Sequence, residues 1–142
     1  DSYKVSVSYL GGWKASGQIT ISGPFALDKA RLCAEVVWSR LDQAGATPEE
    51  VSTEFVGLDS CHGPIARANT APGEIVLRLG AKDPDRGKIE RFGKELAPLV
   101  TAGPPGVTGF AGGRPKAQEI VAFWPALVPK SLIQARVRVE EA

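Results

Sequence analysis

The order of two periodicities along the chain constrains its fold more than any other feature. Apolar and polar residues alternate in three runs, and this period of two predicts β-strands over 15–21, 51–55 and 74–80. A fourth strand, with apolar residues on both faces, is predicted over 119–126. Apolar residues spaced three and four apart predict two amphipathic helices, one within 25–44 and one from Asp83-Pro84 through Leu99. Asp83 is the expected N-cap of the second helix.

These elements follow one another as β-α-β-β-α-β, the split order of ferredoxin-like folds. The predicted fold class is therefore α+β, with an antiparallel sheet and two helices on one face. An extra N-terminal strand over 5–9 is expected to pair with 15–21 through a turn at Gly11-Gly12. Residues 135–139 are expected to form a strand or an extended tail. The other face of such a sheet is expected to need a cover, from the tail, a partner subunit or a missing domain.

Length and charge limit the functional classes. The 142 residues suit one domain, 1–142. A net charge of +1 argues against a dedicated nucleic-acid binder and against a polybasic membrane surface. No apolar run approaches the roughly 20 residues that a membrane helix requires. The sequence thus predicts neither a nucleic-acid partner nor a membrane partner.

Cysteine, histidine and methionine usage add three expectations. One histidine and two distant cysteines, Cys33 and Cys61, argue against a structural zinc site and against a disulfide framework. We therefore expect no metal or cofactor, and we expect a reducing, cytoplasmic location. The chain has no methionine and starts at Asp1, so we expect a domain or subunit of a larger protein, or a processed secretory chain.

The polar stretch after the strand predicted over 51–55 is the first candidate site. It reads GLDSCHG and contains Asp59, Ser60 and His62. Histidine is easily tuned for acid–base work near neutral pH, so His62 is the candidate catalytic group, with Asp59 and Ser60 beside it. Catalytic partners normally come from distant positions, however. The alternative is a turn in which Asp59 and Ser60 bond to local backbone.

A glycine-rich stretch is the second candidate site. It reads GPPGVTGFAGG and is followed by two cations; its candidate ligand-binding residues are Gly103, Gly106, Gly109, Gly112, Gly113, Arg114 and Lys116. Backbone N–H groups and cations of this kind suit a phosphate or a carboxylate. The spacing is that of neither a P-loop nor a dinucleotide fingerprint. A flexible loop or a contact with a protein partner is the alternative.

Several stretches together resemble one protein family. In chain order they are GQITISGPFALDKARLCAEVV, VGLDSCHG, EIVLRLGAKDPDRGKIERFGKEL and GRPKAQEIVAFWPALVPKSLI. They are similar to the C-terminal ferredoxin-like domain of the acyclic terpene utilisation (AtuA-type) proteins. The resemblance implies a large α/β domain upstream and a link to breakdown of citronellol and geraniol through acyl-CoA thioesters. The resemblance supplies no agreed set of catalytic residues. Many relatives have an apolar residue before His62, where this chain has Cys61, so the matching positions are Asp59, Ser60 and His62.

Three hypotheses follow. The first is an accessory and assembly domain that docks on the large N-terminal α/β domain or on a partner subunit, as a homo-oligomer. The second is an enzyme acting on a branched acyl-CoA or terpenoid acid, with His62 as the acid–base group and Arg114 and Lys116 holding the anion. The third is a regulatory domain that senses a small ligand. Whether the chain is an enzyme stays open at this point.

Overall fold

One β-sheet organises the residues that the structure, a computed structural model, describes: 1–65, 71–109 and 112–140. Its strands are β1 (Ser2–Ser22), β2 (Glu50–Val56), β3 (Glu74–Asp83) and β4 (Gln118–Pro129), in the order β2-β3-β1-β4. The helices are α1 (Ala26–Gln43), α2 (Arg86–Phe92) and α3 (Ala97–Ala102), with short 3-10 turns at Gly63–Ile65 and Lys130–Leu132. The chain divides into two compact units, Gly12–Ile120 and a smaller one made of Asp1–Gly11 with Val121–Ala142.

The sheet topology confirms the predicted α+β, ferredoxin-like fold. β3 lies between β1 and β2 and is antiparallel to both, so the connection through α1 skips one strand, as the split β-α-β order requires. β4 is an edge strand, which agrees with the prolines it contains at Pro125 and Pro129, because proline lacks the N–H that a central strand needs.

One face of the larger unit holds the core. Alternate residues of β1 and β3 are buried there, among them Ile19 and Leu77, and the predicted face of α1 is buried over them. From α2 and beyond come Ile89, Phe92 and Leu96. Phe92 stacks on Trp38, with ring centroids 5.7 Å apart, so the core extends under the indole of α1.

The predicted turn at Gly11-Gly12 is wrong. β1 continues through both glycines as one strand, so the expected extra strand over 5–9 is its N-terminal part. Gly12 has a φ of 99°, and a β-carbon there would lie 3.0 Å from the carbonyl oxygen of Asp83. The glycine therefore permits a close backbone approach where the pairing of β1 with β3 begins, at Trp13 and Asp83.

The second predicted helix is present as two short helices. α2 ends at Phe92 and α3 begins at Ala97, with Pro98 in its first turn, where a missing N–H costs nothing. Between them Glu95 is buried and is bound by Arg40 and Arg91. The expected N-cap at Asp83 is also wrong: Asp85 caps α2 by accepting a 2.7 Å hydrogen bond from the N–H of Gly87.

The sheet face away from the helices is polar within the larger unit. Ion pairs join Arg78 to Glu54 at 3.0 Å and Lys82 to Glu50 at 2.5 Å, across neighbouring strands of that face. Such a face is stable in water, so the composition of 12–120 does not require the expected cover; a partner subunit or a further domain stays a prediction. The smaller unit, by contrast, has a run of exposed large apolar side chains on neighbouring strands.

Candidate functional site

The polar stretch after β2 is a compact turn. The carbonyl oxygen of Asp59 accepts hydrogen bonds from the N–H groups of His62 at 3.1 Å and Gly63 at 2.6 Å. Gly57, with a φ of 101°, lets the chain leave the strand sharply. Within the described residues, the geometry here is that of a backbone-bonded turn that leads into a 3-10 turn.

The side chains of that turn point to solvent. Asp59, Ser60, Cys61 and His62 are all exposed, and their side chains make no hydrogen bond or ion pair with another described residue. No nucleophile–base pair is therefore assembled among residues 57–65. The acid–base role of His62 stays a prediction. In 1–65, 71–109 and 112–140, no group of three or more His, Cys, Asp or Glu side chains is placed to hold a metal ion.

The first half of the glycine-rich stretch is fastened to β1. The N–H of Ser22 donates to the carbonyl of Gly106 at 2.9 Å, and the N–H of Thr108 donates to the carbonyl of Thr20 at 2.8 Å. Lys29 adds a cation that donates to the carbonyls of Ser22 at 2.6 Å and Pro105 at 2.8 Å. These hydrogen bonds occupy the carbonyls of Pro105 and Gly106 and the N–H of Thr108, so these groups hold the loop against β1.

Only the second half of that stretch gathers predicted binding residues in one place. Gly112, Gly113, Arg114 and Lys116 line a cleft of about 410 Å³ together with polar side chains of β1. Gly103 ends α3 and Gly106 lies against β1, so neither joins this cleft. Gly109 is exposed and is not among the residues that line it, and 110–111 lie outside the described residues.

Packing of Pro115 against β1 and the end of α2 positions the second half of the glycine-rich stretch. A β-carbon on Gly17 of β1 would lie 2.5 Å from the Pro115 ring and 2.6 Å from Leu96, and one on Gly93 would overlap the Pro115 carbonyl oxygen. The two glycines thus leave the space that Pro115 fills. Arg114 and Lys116, on either side of the proline, are fixed beside the end of α2 as a consequence.

Residues of α2 and of the turn after it add cations that sequence reasoning missed. A second cleft, of about 360 Å³, shares Arg114 and Lys116 with the first and is also lined by Arg86, Glu90 and Lys94. Arg86 forms an ion pair with Glu90 at 2.7 Å and a cation–π contact with Trp13, 4.9 Å from the ring centroid. Lys94 is free of such partners among the described residues. Its only sequence signal is a position in the helix predicted from Asp83 through Leu99; in the structure Lys94 lies in the turn between α2 and α3.

The smaller unit carries a surface of a different kind. We call the β-ribbon of residues 1–11 and 121–130 the arm; its ends meet where the N–H of Lys130 donates to the carbonyl of Asp1 at 3.0 Å. No side chain of the arm is buried. Exposed large apolar side chains line it on both strands: Tyr3, Val7, Tyr9, Leu10, Val121, Phe123, Trp124 and Leu127.

Comparison with known proteins places the chain in a family. Residues 1–139 match the family described as acyclic terpene utilisation family protein AtuA. The chain belongs to the acyclic terpene utilisation family. This confirms the resemblance drawn from GLDSCHG and the neighbouring stretches. No curated protein and no solved structure matched the sequence.

Family membership connects this AtuA-type chain to acyclic terpene utilisation. The family match spans the turn at His62, the two cationic clefts and the arm alike, so it does not choose among them. None of the helices in the described residues is both long enough and apolar enough to cross a membrane. The choice of a functional surface therefore depends on the geometry described above.

Proposed function

We propose that this chain is an accessory and assembly domain of an AtuA-type protein, and that the arm is its docking surface. The observation that carries the proposal is the composition of the arm. Its side chains form no buried core, while eight large apolar ones are exposed. A two-stranded ribbon is marginally stable in water by itself, so a partner surface is what would make this arrangement favourable.

The amount of apolar surface fits a protein interface. Complete burial of one large aliphatic or aromatic side chain contributes about 1.5–3 kcal/mol. Trp124 and Phe123, which are 64% and 57% exposed, are of the residue types that dominate interface energies. Burial of even half of the arm's apolar side chains would supply several kcal/mol, enough to offset part of the cost of association.

The occupant we favour is the large α/β domain that the family resemblance implies. The arm would fasten this domain to it within a cytoplasmic protein of acyclic terpene catabolism that handles acyl-CoA intermediates. A second copy of this chain is the other occupant that an assembly domain would accept. The two occupants differ in the mass of the assembled particle.

Hydroxyl-radical footprinting tests the proposal directly. The native protein, purified from its source cells, is compared with the 142-residue chain alone at a dilution where it sediments as a monomer. Labelling of Phe123 and Trp124 is measured relative to Phe25, which is 76% exposed in the larger unit and serves as the internal control. Docking through the arm should lower the labelling of Phe123 and Trp124 at least five-fold in the native protein.

Two further outcomes are informative: one identifies which occupant binds the arm, and the other refutes the proposal. Protection that appears in the chain alone as its concentration rises, with a doubled mass, identifies a second copy as the occupant. Equal labelling of Trp124 relative to Phe25 in the native protein and in the dilute monomer refutes the proposal, because the arm would then be free in both.

A further inference from the structure

The cationic clefts beside Pro115 have a composition that structural needs do not explain. In the described part of the larger unit, the side chains of four cations make no ion pair, hydrogen bond or ring contact with another described residue: Lys14, Lys94, Arg114 and Lys116. Three of them line one cleft of about 360 Å³. Like charges repel, so three unpaired cations that line one cleft attract an anion to it.

The single acid of that cleft does not neutralise the three. Glu90 is held by Arg86 at 2.7 Å, and that pair carries no net charge. Lys94, Arg114 and Lys116 therefore leave an excess of three positive charges on the cleft. An anion with two or more charges is the complement of such a site.

The backbone around the cations is fixed rather than loose. Pro115 fills the space above Gly17 and against Gly93, which sets the positions of its neighbours Arg114 and Lys116 relative to the end of α2. A backbone that is packed in this way loses less conformational entropy when an anion binds to its side chains. A loop held only by solvent would not have this property.

The adjoining cleft of about 410 Å³ indicates what the anion is attached to. It shares Arg114 and Lys116 and continues over Ser16, Gln18 and Gln118, whose hydroxyl and amide groups donate and accept hydrogen bonds. An aliphatic chain would make no hydrogen bond with these groups. A polar, hydroxylated or heterocyclic body would satisfy them.

We propose that Lys94, Arg114 and Lys116 form a binding site for the phosphate group of a small polar phosphate ester, whose body lies in the adjoining cleft. Arginine supplies a planar fork that matches two phosphate oxygens, and the two lysines add point charges. The site shares no residue with the arm, so its test is independent of the test of the docking function.

Titration of the 142-residue chain with inorganic phosphate and with pyrophosphate tests the site, in 100 mM sodium chloride, by amide NMR shifts. We expect saturable shifts centred on Gly112, Gly113 and Lys94. The Kd for inorganic phosphate should be on the order of 1 mM, as suits a five-atom ion. Pyrophosphate should bind more tightly, because it extends from one cleft into the other.

Charge-removing variants identify the cations that act. Lys94→Gln, Arg114→Gln and Lys116→Gln should each weaken phosphate binding at least five-fold. Lys14→Gln is the matched control, because Lys14 is an unpaired, exposed cation of β1 that lines neither cleft, and it should change the Kd less than two-fold. All four positions are exposed, so folding should be retained, which the amide spectrum itself shows.

Three results would overturn the proposal. One is a set of shifts that stays linear up to 20-fold above the expected Kd of about 1 mM, since the ion would then be only screening charge. Another is a loss in Lys14→Gln as large as the loss in Arg114→Gln. The last is saturable binding that none of the three cleft variants weakens.

Discussion

Asp83, at the end of β3, is a buried carboxylate whose replacement tests how the larger unit is held together. One oxygen accepts from the N–H of Asp85 at 2.7 Å, and the other accepts from the N–H of Glu49 at 2.9 Å and from Lys88 at 3.1 Å. Burial raises the pKa of this carboxyl, but the hydrogen bonds from Asp85, Lys88 and Glu49 outweigh burial, so its pKa lies below the ordinary value.

Asp83→Asn keeps the shape of the side chain and removes its charge. A hydrogen bond to a charged group contributes about 1.5–3 kcal/mol, and one between neutral groups about 1 kcal/mol. The amide has one acceptor oxygen where the carboxylate has two, so one set of donors loses its partner and the remaining bond is weaker. We expect a loss of about 3 kcal/mol at pH 7, which lowers Tm by roughly 10 °C.

Urea unfolding measures this loss, with Asp85→Asn as the matched control. Asp85 is exposed and accepts only from the N–H of Gly87 as the N-cap of α2. Asparagine caps a helix about as well as aspartate, so this variant should lie within about 0.5 kcal/mol of the wild type. The contrast separates the buried charge from a general effect of Asp→Asn exchange.

The pH dependence tests the role of the charge. Because the folded pKa of Asp83 is depressed, its contribution is fully present above the unfolded pKa of about 3.9 and is lost as pH falls through the folded value. The difference between wild type and Asp83→Asn should therefore shrink below about pH 4. A difference that is below 1 kcal/mol at pH 7, or that is unchanged in acid, refutes the reasoning.

Two further predictions concern the thiols and the glycine-rich stretch. Burial raises the pKa of the Cys33 thiol despite the nearby Lys29, whereas Cys61 is exposed. A thiol reagent should therefore modify one cysteine in the folded chain and two in urea. A fast reaction of Cys33 in the folded Cys61→Ser variant would contradict this. Lys29→Met removes the cation that binds the Pro105 carbonyl, so hydrogen exchange of the Thr108 amide should become roughly ten-fold faster. That change corresponds to a loss of about 1.4 kcal/mol in the free energy of opening. Exchange within two-fold of the wild type would show that the loop is held without Lys29.

Local periodicity was sufficient for β2, β3 and the buried face of α1. The alternation over 74–80 predicts β3, and the spacing of Cys33, Val37 and Leu41 predicts the buried face of α1, because burial on one side imposes a pattern that only neighbouring residues define. The β-α-β-β-α-β order then leaves few topologies, since short connections and the handedness of crossovers exclude most others.

Features that depend on distant residues escaped the sequence. Gly11-Gly12 has the composition of a turn, and only the proximity of the Asp83 carbonyl shows that Gly12 serves a close approach within a strand. The break between α2 and α3 likewise involves the burial of Glu95 against Arg40, a residue of another helix. No window of local sequence contains both partners of either contact.

The candidate sites divide in the same way. The sequence by itself determined that Asp59 to His62 form a polar stretch, with a backbone-bonded turn as one of two predictions, and that Arg114 and Lys116 follow a run of glycines, because residue type and order favour particular local conformations. Only the tertiary structure brought Lys94 beside those two cations, through the packing of Pro115 between β1 and α2. Charge clusters depend on distance in space, and that distance is set by packing between elements rather than by separation along the chain.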